Sequence, residues 1–190
     1  MAEVTVTPDE FNFVDFDADL IRSIAERLID LIGVGSDTVL TIEVDETSPL
    51  GRSSIASLDP LVINVESGAF EDPKRPRQQS ETGTADVLGR LLLKAADRLD
   101  GAFGAPDLDD EAELPYRVAW DVYAVGRLAR LGYRAQRQRR LYHFRNRCGF
   151  TDTADEVFDE IWTGDGLTWA DLVNKVDRAL ASKPEPVEIA

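Results

Sequence analysis

The chain has 190 residues, 43% of them hydrophobic and 30% charged, with a formal net charge of −15. It is long enough to build a core, and it has no run of about 18 apolar residues, so no transmembrane helix is expected. One cysteine, Cys148, and one histidine, His143, exclude an intramolecular disulfide, a multi-cysteine zinc or iron–sulfur site, and a site built on several imidazoles.

The first ten residues have no basic start and no apolar stretch, so they do not read as a secretory signal, and the cytoplasm is the expected location. Val4–Thr7 reads as a short edge strand ended by Pro8. A helix follows from Asp17 to Ile32, with Leu20, Ile21, Ile24, Leu28, Leu31 and Ile32 on one face. Asp17 can cap it and Gly33 can stop it. Thr38–Val44 is β-branched-rich, with Leu40, Ile42 and Val44 alternating, and reads as a strand. Residues 47–59 read as a loop. Leu61–Glu66 is a second strand, and residues 67–83 a long polar loop containing Pro73 and Pro76. Loops of that length are usually functional or disordered.

Thr84 is placed to cap a second helix to Leu99, striped by Leu88, Leu91, Leu92, Ala95 and Leu99. An acidic connector at 105–113 carries Asp107, Asp109, Asp110, Glu111 and Glu113. Pro115 suits the first turn of a third helix running over 116–147, with Gly132 as the one point where it could break. Thr151 or Thr153 caps a fourth helix bearing Val157, Phe158, Ile161 and Trp162. Thr168, with Asp171 three residues on, caps a fifth bearing Trp169, Leu172, Val173, Val176 and Leu180. Residues 182–190 read as a flexible tail.

Two or three strands cannot cover five helices in a doubly wound plan. The expected class is therefore α+β: a small two- or three-stranded sheet packed on two N-terminal helices, then a mostly helical C-terminal half. One compact domain over 1–181 is expected, with an α/β part at 1–104 and a helical part at 115–181. The order helix, strand, strand, helix is similar to that of small zinc-metallopeptidase-like domains, whose second helix carries His-Glu-x-x-His. Here residues 84–99 hold neither histidine nor glutamate, so the layout implies no zinc peptidase.

Charge is distributed unevenly. Residues 1–50 carry a net −10 and 151–190 a net −7, whereas 101–150 carry +3. From Arg127 to Arg147 there are eight arginines and no acid, with Tyr133, Tyr142, His143 and Phe144 among them. On a continuous helix, Arg127, Arg130, Arg134 and Arg137, followed by Arg140 or Arg145, would line one side. Guanidinium grips carboxylate or phosphate bidentately. The same arginines can instead pair with acids of their own chain.

Catalytic patterns are absent. Gly-x-Ser-x-Gly and the phosphate-binding Gly-x-x-x-x-Gly-Lys-Ser/Thr do not occur, and Gly33-Val34-Gly35 follows a helix, the wrong order for a dinucleotide fingerprint. His143 and Cys148 are five residues apart, which on one helix points them about 140° apart. The acidic connector lacks EF-hand spacing. The three tryptophans fall on apolar helix sides, and Gly126 is small enough to admit a neighbouring helix.

These observations point to a non-enzymatic interaction module using the Arg-rich helix through Arg130, Arg134, Arg137, Arg139, Arg140, Arg145 and Arg147. Its expected partner is an acidic protein surface or a second copy of the chain. The overall acidity disfavours nucleic acid, which remains a second alternative through the same arginines. The first alternative is an enzyme or small-ligand binder with a pocket near the 67–83 loop, using Glu66 as a general base with Arg75 and Arg77. No metal, cofactor or membrane contact is expected.

Overall fold

The computed structural model describes residues 2–35, 37–106 and 112–183. The architecture is α+β, with six α-helices, a four-stranded mixed sheet and a small two-stranded sheet among the described residues. The chain divides into two compact units: Met1–Leu99 with Leu131–Arg134, and Asp100–Arg130 with Ala135–Ala190. Among the described residues no helix is long and apolar enough to cross a membrane.

In the first unit, β1 (Glu3–Thr7), β2 (Val39–Asp45) and β4 (Leu61–Glu66) run parallel, and β3 (Ser53–Leu58) pairs antiparallel with β4 in the order β1-β2-β4-β3. Alternation buries Val4 and Val6, Leu40, Ile42 and Val44, and Leu61, Ile63 and Val65, while Thr5, Glu43 and Asn64 stay exposed. The sheet is thus covered on one face, by α1 (Ala18–Ile32) and α2 (Glu81–Leu99). Asp17 caps α1 by accepting from the Asp19 and Leu20 N–H groups, and Gly33 ends it at φ 77°. The outer edge is blunted, since Arg22 Nε donates to the Val4 carbonyl at 3.3 Å.

The sheet has one strand more than the two or three expected. The addition is β3, in the segment read as loop 47–59. Its Ser-Ser-Ile-Ala-Ser-Leu run has no apolar alternation, and pairing with β4 supplies what periodicity does not. The 67–83 segment is not one loop either. It holds a 3-10 turn at Ser67–Ala69, the hairpin β5 (Glu71–Asp72) and β6 (Arg75–Gln79), and the start of α2. Phe70, wholly buried, anchors it. The α2 helix begins three residues before Thr84 because Ser80 Oγ accepts from the Gly83 N–H at 3.0 Å; Thr84 is buried inside the helix. Gly68 has no room for a side chain, as its Cβ would fall 2.1 Å from the Pro49 carbonyl oxygen.

The second unit is helical: α3 (Leu114–Arg130), α4 (Arg137–Cys148), α5 (Asp152–Thr163) and α6 (Trp169–Ala181). Trp120, Phe144, Phe158, Ile161, Leu172 and Val176 are its fully buried centre. Trp162 and Trp169 pack against that centre, partly exposed. Thr151 caps α5, and Thr168 with Asp171 forms a reciprocal capping box on α6. Gly126 lets α5 approach so closely that a Cβ there would lie 2.3 Å from the Trp162 carbonyl oxygen. The expected 116–147 helix is two helices. It breaks between Arg130 and Arg137, where Gly132 takes φ 92°, a left-handed conformation that suits glycine. Asp107, Asp109, Asp110 and Glu111 of the connector, and most of the expected tail, lie outside the described residues.

Candidate functional site: the outward face of the Arg-rich helix

The break at Gly132 removes the single row of arginines that a continuous helix would carry and sorts them into two sets. Arg130, at the end of α3, donates to the carbonyls of Trp162 (2.8 Å) and Gly164 (2.7 Å), satisfying groups that the C-terminus of α5 leaves open. Arg137 pairs with Asp159 and lies over the Phe158 ring at 5.2 Å. Arg140 stands 4.0 Å from Asp121. Arg145 makes a two-pronged pair with Asp155, at 2.7 and 2.5 Å. That guanidinium holds the Asp155 carboxyl below the usual carboxylate range. These four arginines tie helices of their own unit together.

Arg134, Arg139 and Arg147 are exposed, and among the described residues none has a side-chain ion pair. Arg134 sits in the segment between the two helices. Arg139 and Arg147 share the outward face of α4 with His143, Tyr142 and Asn146, and Phe150 follows just past the helix end. Tyr142 is 59% and Phe150 65% exposed, yet their rings meet edge-on at 6.5 Å. Together the two rings form a contiguous exposed apolar patch. Lys183 Nζ donates to the Arg147 carbonyl at 2.5 Å and so closes the helix end.

His143 lies 6.2 Å from the Tyr142 ring. Its pKa is lowered, first by burial of the ring and then by Arg139, Arg140 and Arg147, against a smaller opposing pull from Asp121. It is neutral at pH 7. Cys148 is on the inward side, fully buried, and burial pushes its thiol up to about 11. One group faces out and the other in, so the two do not form a nucleophile–base pair.

Of the residues expected to form a pocket by the 67–83 segment, both arginines are engaged around the β5–β6 hairpin. Arg75 pairs with Asp72 at 2.9 Å. Arg77 takes φ 66°, held by its N–H on Glu71 (3.1 Å), its carbonyl under the Asp15 N–H (2.8 Å) and its guanidinium on the Glu46 carbonyl (3.3 Å). Both arginines are structural. Glu66 instead borders a cleft of about 630 Å³ at the carboxyl ends of β1, β2 and β4, with Thr7, Glu43, Asp45, Arg52 and Asn64. Register sets Thr7, Glu43, Asn64 and Ser54 in one row across all four strands, with Asp45 beside Glu66. Glu66 accepts from the Arg52 N–H at 3.3 Å, and Asp45 is held below its ordinary pKa by the Thr47 hydroxyl and N–H. Among the described residues no group of three or more His, Cys, Asp or Glu is placed to hold a metal ion.

The outward set was readable only in part. A count from Gly132 puts Arg139, His143 and Arg147 on one line, but which side faces solvent depends on where Leu141, Phe144 and Cys148 pack. Phe150, outside the arginine run, carried no signal. No family model, curated protein or solved structure matches the chain.

Proposed function

We propose that the protein is a non-enzymatic interaction module whose working surface is the outward face of α4, and that it binds an acidic surface of another protein. The observation that carries this reading is the exposed Tyr142–Phe150 pair flanked by Arg139 and Arg147 on a chain of net charge −15. Aromatic residues and arginine are the side chains most enriched at binding hot spots. The surrounding acidity repels other acidic proteins over most of the surface, so a local cationic patch selects orientation as well as partner. Of the seven arginines on which an interaction was expected, Arg130, Arg137, Arg140 and Arg145 act in the scaffold and Arg134 lies before α4, which leaves Arg139 and Arg147 on its outward face.

The test is site-specific photocrosslinking from position 142 in cells that express the chain naturally. A discrete, identified protein adduct that disappears in the Arg139→Glu, Arg147→Glu variant is the expected result. An adduct with a second copy of the chain would make the surface self-associating. An adduct with nucleic acid, or one unchanged in the variant, would overturn the reading.

A second reading is favoured by one observation, the cleft at the carboxyl ends of the parallel strands, a position that open α/β sheets commonly use for ligands. There the chain would bind a small ligand or act on it, with Glu66 as base. Thermal-shift screening of metabolites against wild type and Glu66→Gln tests this. A stabilising ligand whose effect survives the substitution would remove Glu66 from the site.

A further inference from the structure

We infer that the outward face of α4 receives an acidic amphipathic helix, its carboxylates at four-residue spacing set against Arg139, His143 and Arg147, its apolar side chains against Tyr142 and Phe150. This rests on the reading of α4 as a partner-binding surface and names the partner's form. The four-residue step gives α4 two neighbouring ridges. One is Arg139–His143–Arg147; the other is Tyr142–Asn146, continued by Phe150 beyond the helix end. The first spans about 12 Å of helix axis; the second is shorter, since α4 ends at Cys148 and the Phe150 ring lies 6.5 Å from that of Tyr142. One ridge is cationic or can become so, and the other is mostly aromatic. A groove between two such ridges takes a ridge of another helix. An extended strand would need an open sheet edge to pair with, and α4 has none.

Charge sets the sign of the partner. The acids of this unit nearest the inward arginines are already committed, Asp155 to Arg145, Asp159 to Arg137, and Glu160 to Lys175 and Arg178. Arg139 and Arg147 have no such partner among the described residues. The aromatic ridge demands apolar side chains beside the partner's carboxylates, which a helix with acids and leucines on adjacent ridges supplies.

A consequence follows for pH. The charged groups facing His143 are Arg139, Arg140 and Arg147 of α4 and Asp121 of α3, and the arginines outweigh the acid. An arriving carboxylate reverses that balance and favours the imidazolium. Docking therefore takes up a proton, and affinity rises as pH falls through the imidazole range.

The experiment is fluorescence anisotropy of the full chain with three labelled probes. They are a synthetic acidic amphipathic helix of about 18 residues, a scrambled peptide of the same composition, and oligo-dT. The amphipathic peptide is expected to bind at least about tenfold tighter than the scrambled one. Arg139→Glu with Arg147→Glu, and separately Tyr142→Ala with Phe150→Ala, should each weaken it by about tenfold or more at unchanged melting temperature. Wild type should bind about threefold to tenfold tighter at pH 5.5 than at pH 7.5, and His143→Gln should flatten that dependence. Equal binding of the scrambled peptide, preference for oligo-dT, or indifference to the aromatic pair would overturn the inference. If crosslinking at position 142 captures a protein while the amphipathic peptide shows no advantage, this inference fails and the broader reading stands. If neither is seen, both fail.

Discussion

The two sides of α4 use one residue type in two ways. Inward, Arg137, Arg140 and Arg145 each reach an acid on a neighbouring helix, above a floor of Leu141, Phe144 and Cys148. Outward, Arg139 and Arg147 stand beside exposed rings with no ion pair among the described residues. The difference is one of helical phase, not composition, and it separates arginines that hold the unit together from those left to meet something else. The sharpest way to break the comparison is to truncate one aromatic on each side. Phe144, buried against the Phe158 ring at 5.9 Å, should cost about 3–5 kcal/mol on substitution by alanine. Tyr142→Ala, two residues away, should stay within about 0.5 kcal/mol. Chemical denaturation of both variants checks this, and similar losses would mean that the outward face is structural as well.

The next effect lies where α3 supports α5. Gly126→Ala adds one methyl aimed at the Trp162 carbonyl oxygen, 2.3 Å from its ideal position. Alanine is the better helix former by about 1 kcal/mol, but forcing two backbones apart costs about 1–3 kcal/mol, and a carbonyl cannot rotate aside as a side chain can. The net expectation is destabilisation of up to about 2 kcal/mol. Because Arg130 binds the same carbonyl, the variant should also lower the gain that Arg130 provides. A double-mutant cycle with Arg130→Ala would show coupling, whereas strict additivity would mean that the helices slide apart without disturbing that cap.

How far this was legible follows from which signal each element carries. The helices α1, α5 and α6 announce themselves through apolar stripes and through Asp17, Thr151 and Thr168 as caps, and the α+β class follows from strands preceding helices. Strand β3 escaped notice because Ser53, Ser54 and Ser57 dilute its pattern and only pairing with β4 orders it. The β5–β6 hairpin is almost wholly polar and depends on side-chain contacts to Glu71 and Asp72 and on the Asp15 backbone, the last distant in sequence. At the candidate site, the arginine run and the possible break at Gly132 were visible. The split into engaged and outward arginines was not, since it needs the positions of Asp121, Asp155 and Asp159. The contacts of Arg75 with Asp72 and of Arg77 with the Glu46 carbonyl, set by the hairpin, were not legible beside Glu66 in the sequence.

A smaller effect tests the same division with charge alone. Arg145→Ala removes a bidentate pair that is about one-third exposed, and should lower stability slightly. Arg147→Ala should cost nothing measurable. Asp155 has its folded-state pKa below the ordinary carboxylate value, so the stability it contributes is complete above that value and lost as pH falls through the depressed one. The gap between the two variants should therefore close in acid, below about pH 4. A gap that persists there would assign the stabilisation to packing of the Arg145 stem.

The smallest expected effect concerns His143 in the absence of a partner. Its folded-state pKa lies below the unfolded value of 6.5, so the folded chain binds fewer protons than the unfolded chain across that interval. Stability is complete above pH 6.5 and declines as pH falls toward the folded value. His143→Gln should remove this shallow acid-side decline in melting temperature while leaving the value at pH 7.5 unchanged. Binding of an acidic helix should respond in the opposite direction, tightening over the same interval, because the incoming carboxylates favour the imidazolium that the arginines oppose. One imidazole would then weaken the free fold and strengthen the complex on acidification, and a single substitution should flatten both slopes. If glutamine flattens the binding slope but not the melting slope, burial and the arginines do not depress His143 in the free chain, and its proton uptake on binding is driven by the partner's carboxylates alone.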